Sequence, residues 1–137
     1  MTAKEYLYRY RQLNAEIDSL EHSKNELKGV AYKITPQPSD VGIPNSSSAS
    51  GARFESVIAK IAGIEDRINE KIDQLIELRD EITTAIDSVD DATMRTLLRL
   101  RYICGWEWEK IARKINYSDV HTRGYLHGAA LNKVNTP

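Results

Sequence analysis

His22, His121, His127 and Cys104 are the residues best suited by type to hold a metal ion or to serve as base and nucleophile. None stands at metal-ligand spacing from another. The serines between Asn45 and Gly51 have no neighbouring His or Asp pattern to activate them. Paired carboxylates occur at Glu65-Asp66 and Asp80-Glu81, within a strongly charged, helix-patterned stretch where solvation accounts for them. No glycine-rich phosphate loop is present. We therefore expect no enzyme, no metal and no cofactor. The chemistry that remains belongs to cations and helix ends near the C-terminus. Arg123 offers a guanidinium fork able to pair with O6 and N7 of a guanine. His121 and His127 are weaker, pH-sensitive candidates for the same role. Ser118 marks a helix start, where free N–H groups and the helix dipole favour a phosphate. Asp119, Val120 and Gly124 complete that face, and Arg95, Arg99, Lys110, Arg113 and Lys114 are candidate phosphate contacts.

Three helices with two tight joints must position these groups, across residues 90–135. Asp90 and Asp91 are N-cap candidates, and Leu97, Leu98, Leu100, Tyr102 and Ile103 give an apolar face. Gly105 is a natural stop, since glycine enters the left-handed region without penalty. A short helix follows with Trp108, Ile111, Ala112 and Ile115 on one side. Asn116-Tyr117-Ser118 then makes a turn before a third helix that runs to about Val134. Short helix, tight turn, longer helix is the helix-turn-helix pattern. It predicts a small Ala112 at the close approach and a left-handed Asn116. It also predicts burial of Ile111, Ile115, Tyr117, Tyr125 and Leu126. Thr122 falls where an aliphatic residue is expected. Trp106 and Trp108 suit core and helix-start positions, and Cys104 suits a small core position.

Upstream, Thr2 and Glu5 form a capping box. The helix it opens repeats Tyr6, Leu13, Leu20 and Leu27 at seven and is expected to stop at Gly29. Residues 30–51 read as a Pro/Ser-rich flexible loop containing Pro36, Pro38 and Pro44, with Tyr32, Ile34, Val41 and Ile43 able to pin parts of it. From 52 to 89 comes the strongest periodic signal. Phe54, Ile61, Ile68, Leu75, Ile82 and Val89 recur every seven residues, supported by Val57, Ile64 and Leu78 and widened by Ile58, Ile72 and Ile86. Lys71 and Ala85 interrupt that seam. The expectation is all-α: a long coiled-coil-like hairpin of residues 1–29 and 52–89, then a trihelical domain over 90–137. The first helix carries four repeats against six in the second, so a homo-oligomer joined through Phe54, Ile61, Ile68, Leu75 and Ile82 is expected.

Net charge is −1, but its distribution is uneven. From Ala92 onward there are 8 Lys/Arg and 3 Asp/Glu, net +5; the first 91 residues carry 11 and 17, net −6. A basic end on an acidic body is the asymmetry of a DNA-reading module. A single cysteine excludes an internal disulfide, and no stretch has the ~20 apolar residues of a membrane span. With no signal peptide visible, a cytoplasmic, soluble protein is expected.

The stretch RYICGWEWEKIARKINYSDVHTRGYLHGAAL resembles region 4 of bacterial sigma factors. It resembles still more closely the sigma-region-4-like end of small phage proteins grouped with the ArpU and RinA late-transcription regulators. The matching features are Arg101-Tyr102-Ile103, Gly105, Trp108, Ile111-Ala112, Asn116-Tyr117-Ser118, and His127 with Ala130-Leu131. The upstream layout matches too. Thr122 and Asp119 depart from the pattern. The resemblance implies a phage-encoded regulator in a bacterial host cell that binds double-stranded DNA and activates late genes, with RNA polymerase as a further implied partner. The competing expectation is a coiled-coil adaptor whose trihelical end binds protein.

Overall fold

The computed structural model describes residues 1–34 and 44–137, with side chains described for 1–34 and 50–137. The protein is all-α, with no strand among the described residues. Helix α1 spans Ala3–Ile34 and α2 spans Pro44–Asp87. Helix α3 opens as Ala92–Leu98 and continues through a π-helical turn, Arg99–Ile103. Helix α4 spans Trp108–Ile115. Helix α5 joins three pieces: Asp119–His121, a π-helical turn Thr122–Leu126, and His127–Asn132. Among the described residues, no helix is long and apolar enough to cross a membrane.

Local chemistry sets most helix ends. The capping box forms: Thr2 N donates to Glu5 Oε2 at 2.9 Å, and Glu5 N donates to Thr2 Oγ1 at 3.1 Å. Asp91 caps α3 by accepting from Met94 N at 2.9 Å. Two expected ends differ. Helix α1 passes through Gly29 to Ile34. An interior glycine costs about 1 kcal/mol, and the turn beyond it buries Ala31, which offsets that cost. Helix α2 starts at Pro44 rather than near Ala52; a proline at the first helical position lacks only an N–H that would be unbonded anyway. Residues 35–43 of the expected loop, with Pro36, Pro38, Val41 and Ile43, lie outside the described residues.

The chain divides into two compact units, and the cut is not at the expected Val89–Asp90 junction. Unit 1 combines residues 1–15 with 74–137; unit 2 is residues 16–73. In unit 1 one core draws on every helix: Leu7 and Tyr10 from α1, Ile82 and Ile86 from α2, Leu98 and Tyr102 from α3, Ile111 from α4, Leu126 and Ala130 from α5. Val89, at the expected boundary, is itself buried in that core. The base of the hairpin is therefore part of the trihelical domain's interior.

In unit 2 the two helices run antiparallel. Lys71 Nζ meets Glu16 Oε1 at 2.9 Å, and Ala31 and Tyr32 lie beside Phe54, Ile58 and Ile61. Lys71 is thereby explained: a cation at an apolar seam position, paired with the facing helix. The heptad residues are spent inside the chain. Ile61 and Ile68, and Ile82 in unit 1, are buried, while Phe54 and Leu75 are half-buried. Of the expected self-association seam, Ile61, Ile68 and Ile82 are thus covered within the chain; the apolar surface left open on α2 of unit 2 is its flank, Ile58 and Ile72.

Candidate nucleic-acid interface

The α4–turn–α5 geometry is built as the residue types require. Asn116 takes φ 63° and ψ 41°, the left-handed region, which asparagine tolerates better than most residues. Tyr117 N closes the turn on Ala112 O at 3.1 Å. Ala112 and Ile111 are fully covered. Ser118 Oγ accepts from His121 N at 3.1 Å and caps α5. At the α3–α4 joint Gly105 adopts φ +72°, and Trp106 N reaches Leu100 O at 2.9 Å.

On α5, Asp119, Val120, His121, Arg123 and Gly124 are all exposed, Val120 at 84%. A Cβ added at Gly124 would meet nothing within 4 Å, so no neighbour demands glycine there. Beside this face three rings stack in a row. Tyr117 lies 5.1 Å from His121, and His121 lies 5.2 Å from Tyr125, near-parallel in both cases. Tyr117 and Tyr125 were expected in the core and are instead exposed, Tyr125 at 63%. His127 is inside instead, and Thr122 is buried at the position where the pattern expects an aliphatic residue. The π-helical turn explains the exchange of Tyr125 for His127. It adds a residue to one turn and shifts the phase of the buried stripe, which then runs Thr122, Leu126, Ala130, Val134.

His127 is therefore not a base-reading residue. Its Nε2 sits 2.6 Å from Tyr102 Oη in the interior, with the Trp108 ring 4.5 Å away. Burial, then the charges of Lys4, Arg101 and Arg123, lowers its pKa to about 4. Burial raises that of the Tyr102 phenol to about 12. Both partners are neutral near pH 7, and the imidazole tautomer sets which of the two donates.

Two expected phosphate contacts have internal duties. Arg95 Nη1 donates to Val89 O at 2.6 Å and to Asp90 O at 3.0 Å, satisfying carbonyls beyond the end of α2. Arg99 Nη2 pairs with Asp87 Oδ1 at 2.8 Å. Lys110, Arg113 and Lys114 on α4 remain exposed, with the Lys110 ammonium 4.0 Å above the Trp106 ring. Cys104, expected in the core, is exposed. Trp106 and Trp108 pack against the core as expected.

Sequence reasoning missed one group. Arg123 borders a cleft that also takes Lys4, Tyr8 and Arg11 from α1 and Arg101 from α3. The available signal was that Lys4, Tyr8 and Arg11 fall at i, i+4 and i+7, one face of a helix. Among the described residues no group of three or more His, Cys, Asp or Glu could hold a metal ion. No protein-family model, curated protein or solved structure matches the chain.

Proposed function

We propose that the protein is a sequence-specific, DNA-binding regulator of transcription, using α5 as the groove-entering helix and α4 as the helix that crosses the backbone. One observation carries this reading: a complete helix–turn–helix joint, with left-handed Asn116 and the Ser118 cap, holds a solvent-facing α5 surface of Val120, His121, Arg123 and Gly124. Exposed Lys110, Arg113 and Lys114 on α4 would meet phosphates. The resemblance to the ArpU and RinA regulators extends this to a phage late-gene activator acting in the bacterial cytoplasm, with RNA polymerase as a further partner. Self-association would use the open flank of unit 2, where Tyr32 and Ile58 are exposed, rather than the buried heptad seam.

The test is anisotropy titration on the specific site, found by footprinting the genome that encodes the chain, and on random duplex. Arg123→Ala should cost about 1–3 kcal/mol on the specific site and much less on random DNA. Arg113→Ala should weaken both alike and shallow the salt slope by about one unit. Absence of retention on any duplex at low salt would refute the reading.

A second reading has a specific observation in its favour. Val120 and Tyr125 are large, apolar and exposed on α5, as a protein-docking helix would present them. In that case the chain is an adaptor, and binding to its partner should survive salt that strips a DNA reader from duplex.

A further inference from the structure

The cleft beside α5 unites cations that lie far apart in sequence. Lys4 and Arg11 come from α1, Arg101 from α3 and Arg123 from α5, and the volume between them is about 250 Å³. No carboxylate lines it; its other walls are Tyr8, Trp108 and the buried Tyr102–His127 pair. Like charges do not gather without a reason. Arg101 shows the cost: burial first, then Arg11 and, least, Arg123 lower its pKa, and the opposing pull of Tyr102 and Glu107 does not cancel this. Yet Arg101 is held rigidly in place. Its Nη1 donates to Trp106 O at 3.0 Å, and its guanidinium lies 4.5 Å over the Trp108 ring. A guanidinium has five N–H donors, so that one bond leaves others for a ligand. Arg11 similarly rests near the Tyr8 ring, 5.9 Å from its centroid. No ion pair forms at Lys4, Arg11, Arg101 or Arg123 among the described residues.

We propose that this cleft binds a phosphate group, with Arg101 as the fixed donor at its wall and Lys4, Arg11 and Arg123 closing around the anion. Forked guanidinium donors match phosphate oxygens, and a compact oxyanion is the ligand that relieves crowding among four cations. The phosphate has two chemical sources, a small free polyphosphate or the backbone of a duplex lying along α5. Only the second rests on the proposed function.

The experiment uses the full chain and inorganic pyrophosphate at constant ionic strength, read by NMR at the Trp108 indole. Saturable, local shifts are expected at low-millimolar ligand. Lys4→Gln/Arg11→Gln, which leaves the buried neighbours Tyr6, Leu7 and Tyr10 intact, should bind about tenfold more weakly or worse, a loss of about 1.4 kcal/mol. The charge-keeping Lys4→Arg/Arg11→Lys variant should restore binding, which a purely structural role for the two side chains would not predict. Shifts that never saturate, or that are identical in the Gln variant, overturn the proposal whether or not the protein binds DNA. A second arm assigns the source. If the duplex is the source, the Gln variant loses DNA affinity, its salt slope shallows by about two units, and pyrophosphate competes with DNA. If the source is a small polyphosphate, pyrophosphate binding is lost in the Gln variant while DNA affinity is unchanged or was never present.

Discussion

Units 1 and 2 share the same two helices and treat them differently. In unit 1, α1 and α2 are enclosed by three further helices, and Leu7, Ile82, Leu97, Leu98 and Ile111 are wholly or almost wholly removed from solvent. In unit 2, among the described residues, the same helices have only each other. Their seam, Ile17, Leu20, Ile61 and Ile68, is buried less completely, and their flanks keep Tyr32 and Ile58 open. A helix with one partner can cover one stripe; a second stripe stays wet until something else arrives. The heptad repeat runs unchanged through both, so periodicity reports a seam but not how many neighbours close over it.

The sharpest way to break the comparison is the same substitution in both units of α1. Leu7→Ala should cost about 3–5 kcal/mol, because a site enclosed by several helices collapses poorly around a cavity. Leu20→Ala should cost about 2 kcal/mol, near the low end of the same range, because the two-helix ribbon can close over the gap. Urea unfolding of both variants measures this. Equal losses would show that unit 2 is as fully packed as unit 1 and that its exposed flanks are incidental.

Next in size is a pH effect confined to unit 1. His127 titrates near 4 when folded, against an ordinary value near 6.5. The unfolded chain therefore takes up the proton first as pH falls. The contribution is complete above about 6.5 and is lost progressively toward 4, up to about 3 kcal/mol in all. Other groups titrate in the same window, so the measurement is a difference. Urea midpoints at pH 7.5 and 4.5 should separate further in the wild type than in His127→Gln. Equal separations would mean that the Tyr102–His127 pair is not held neutral by burial.

A smaller effect tests whether unit 2 is completed by a second copy. Ile58→Glu with Ile72→Glu changes the exposed flank and leaves Ile61 and Ile68 in place. Sedimentation at tens of micromolar should show the wild type heavier than the variant, with about 2 kcal/mol of association lost. A wild type already monomeric there would leave the flank without this partner.

What was legible in the sequence follows the same division between local and distant causes. Asp91, Gly105, Asn116 and Ser118 were read correctly because each acts on backbone within a few residues. The buried stripe of α5 was misread past its first turn because nothing in the local pattern announces a π-helical turn. Tyr125 moved out and His127 moved in. The internal partners of Arg95 and Arg99 were not legible because the carbonyls and carboxylate they serve lie at and just beyond the end of α2. Lys4 and Arg11 were invisible as partners of Arg123 because more than a hundred residues intervene.

Thr122 is the smallest case, and it joins both kinds of cause. The sequence marked it as a polar residue at an aliphatic position, and in unit 1 it is fully buried with Oγ1 unpartnered. A buried hydroxyl without a hydrogen bond forfeits about 1–3 kcal/mol of solvation. Thr122→Val keeps the β-branched shape and comparable helix propensity while removing the orphaned group. It should raise stability by about 1 kcal/mol, a gain of roughly 3–6 °C in the melting midpoint. Thr122→Ser serves as the opposite arm: it keeps the hydroxyl, deletes a packed methyl, and should lower stability by about 1 kcal/mol. If Thr122→Val instead destabilised the protein, the hydroxyl would have a partner in solution, such as a buried water with a neighbouring carbonyl. The π-helical turn that begins at Thr122 would then owe part of its geometry to that bond. If valine stabilises, the threonine is a tolerated imperfection in an otherwise closed core, and the turn rests on the packing of Leu126 and Ala130 alone.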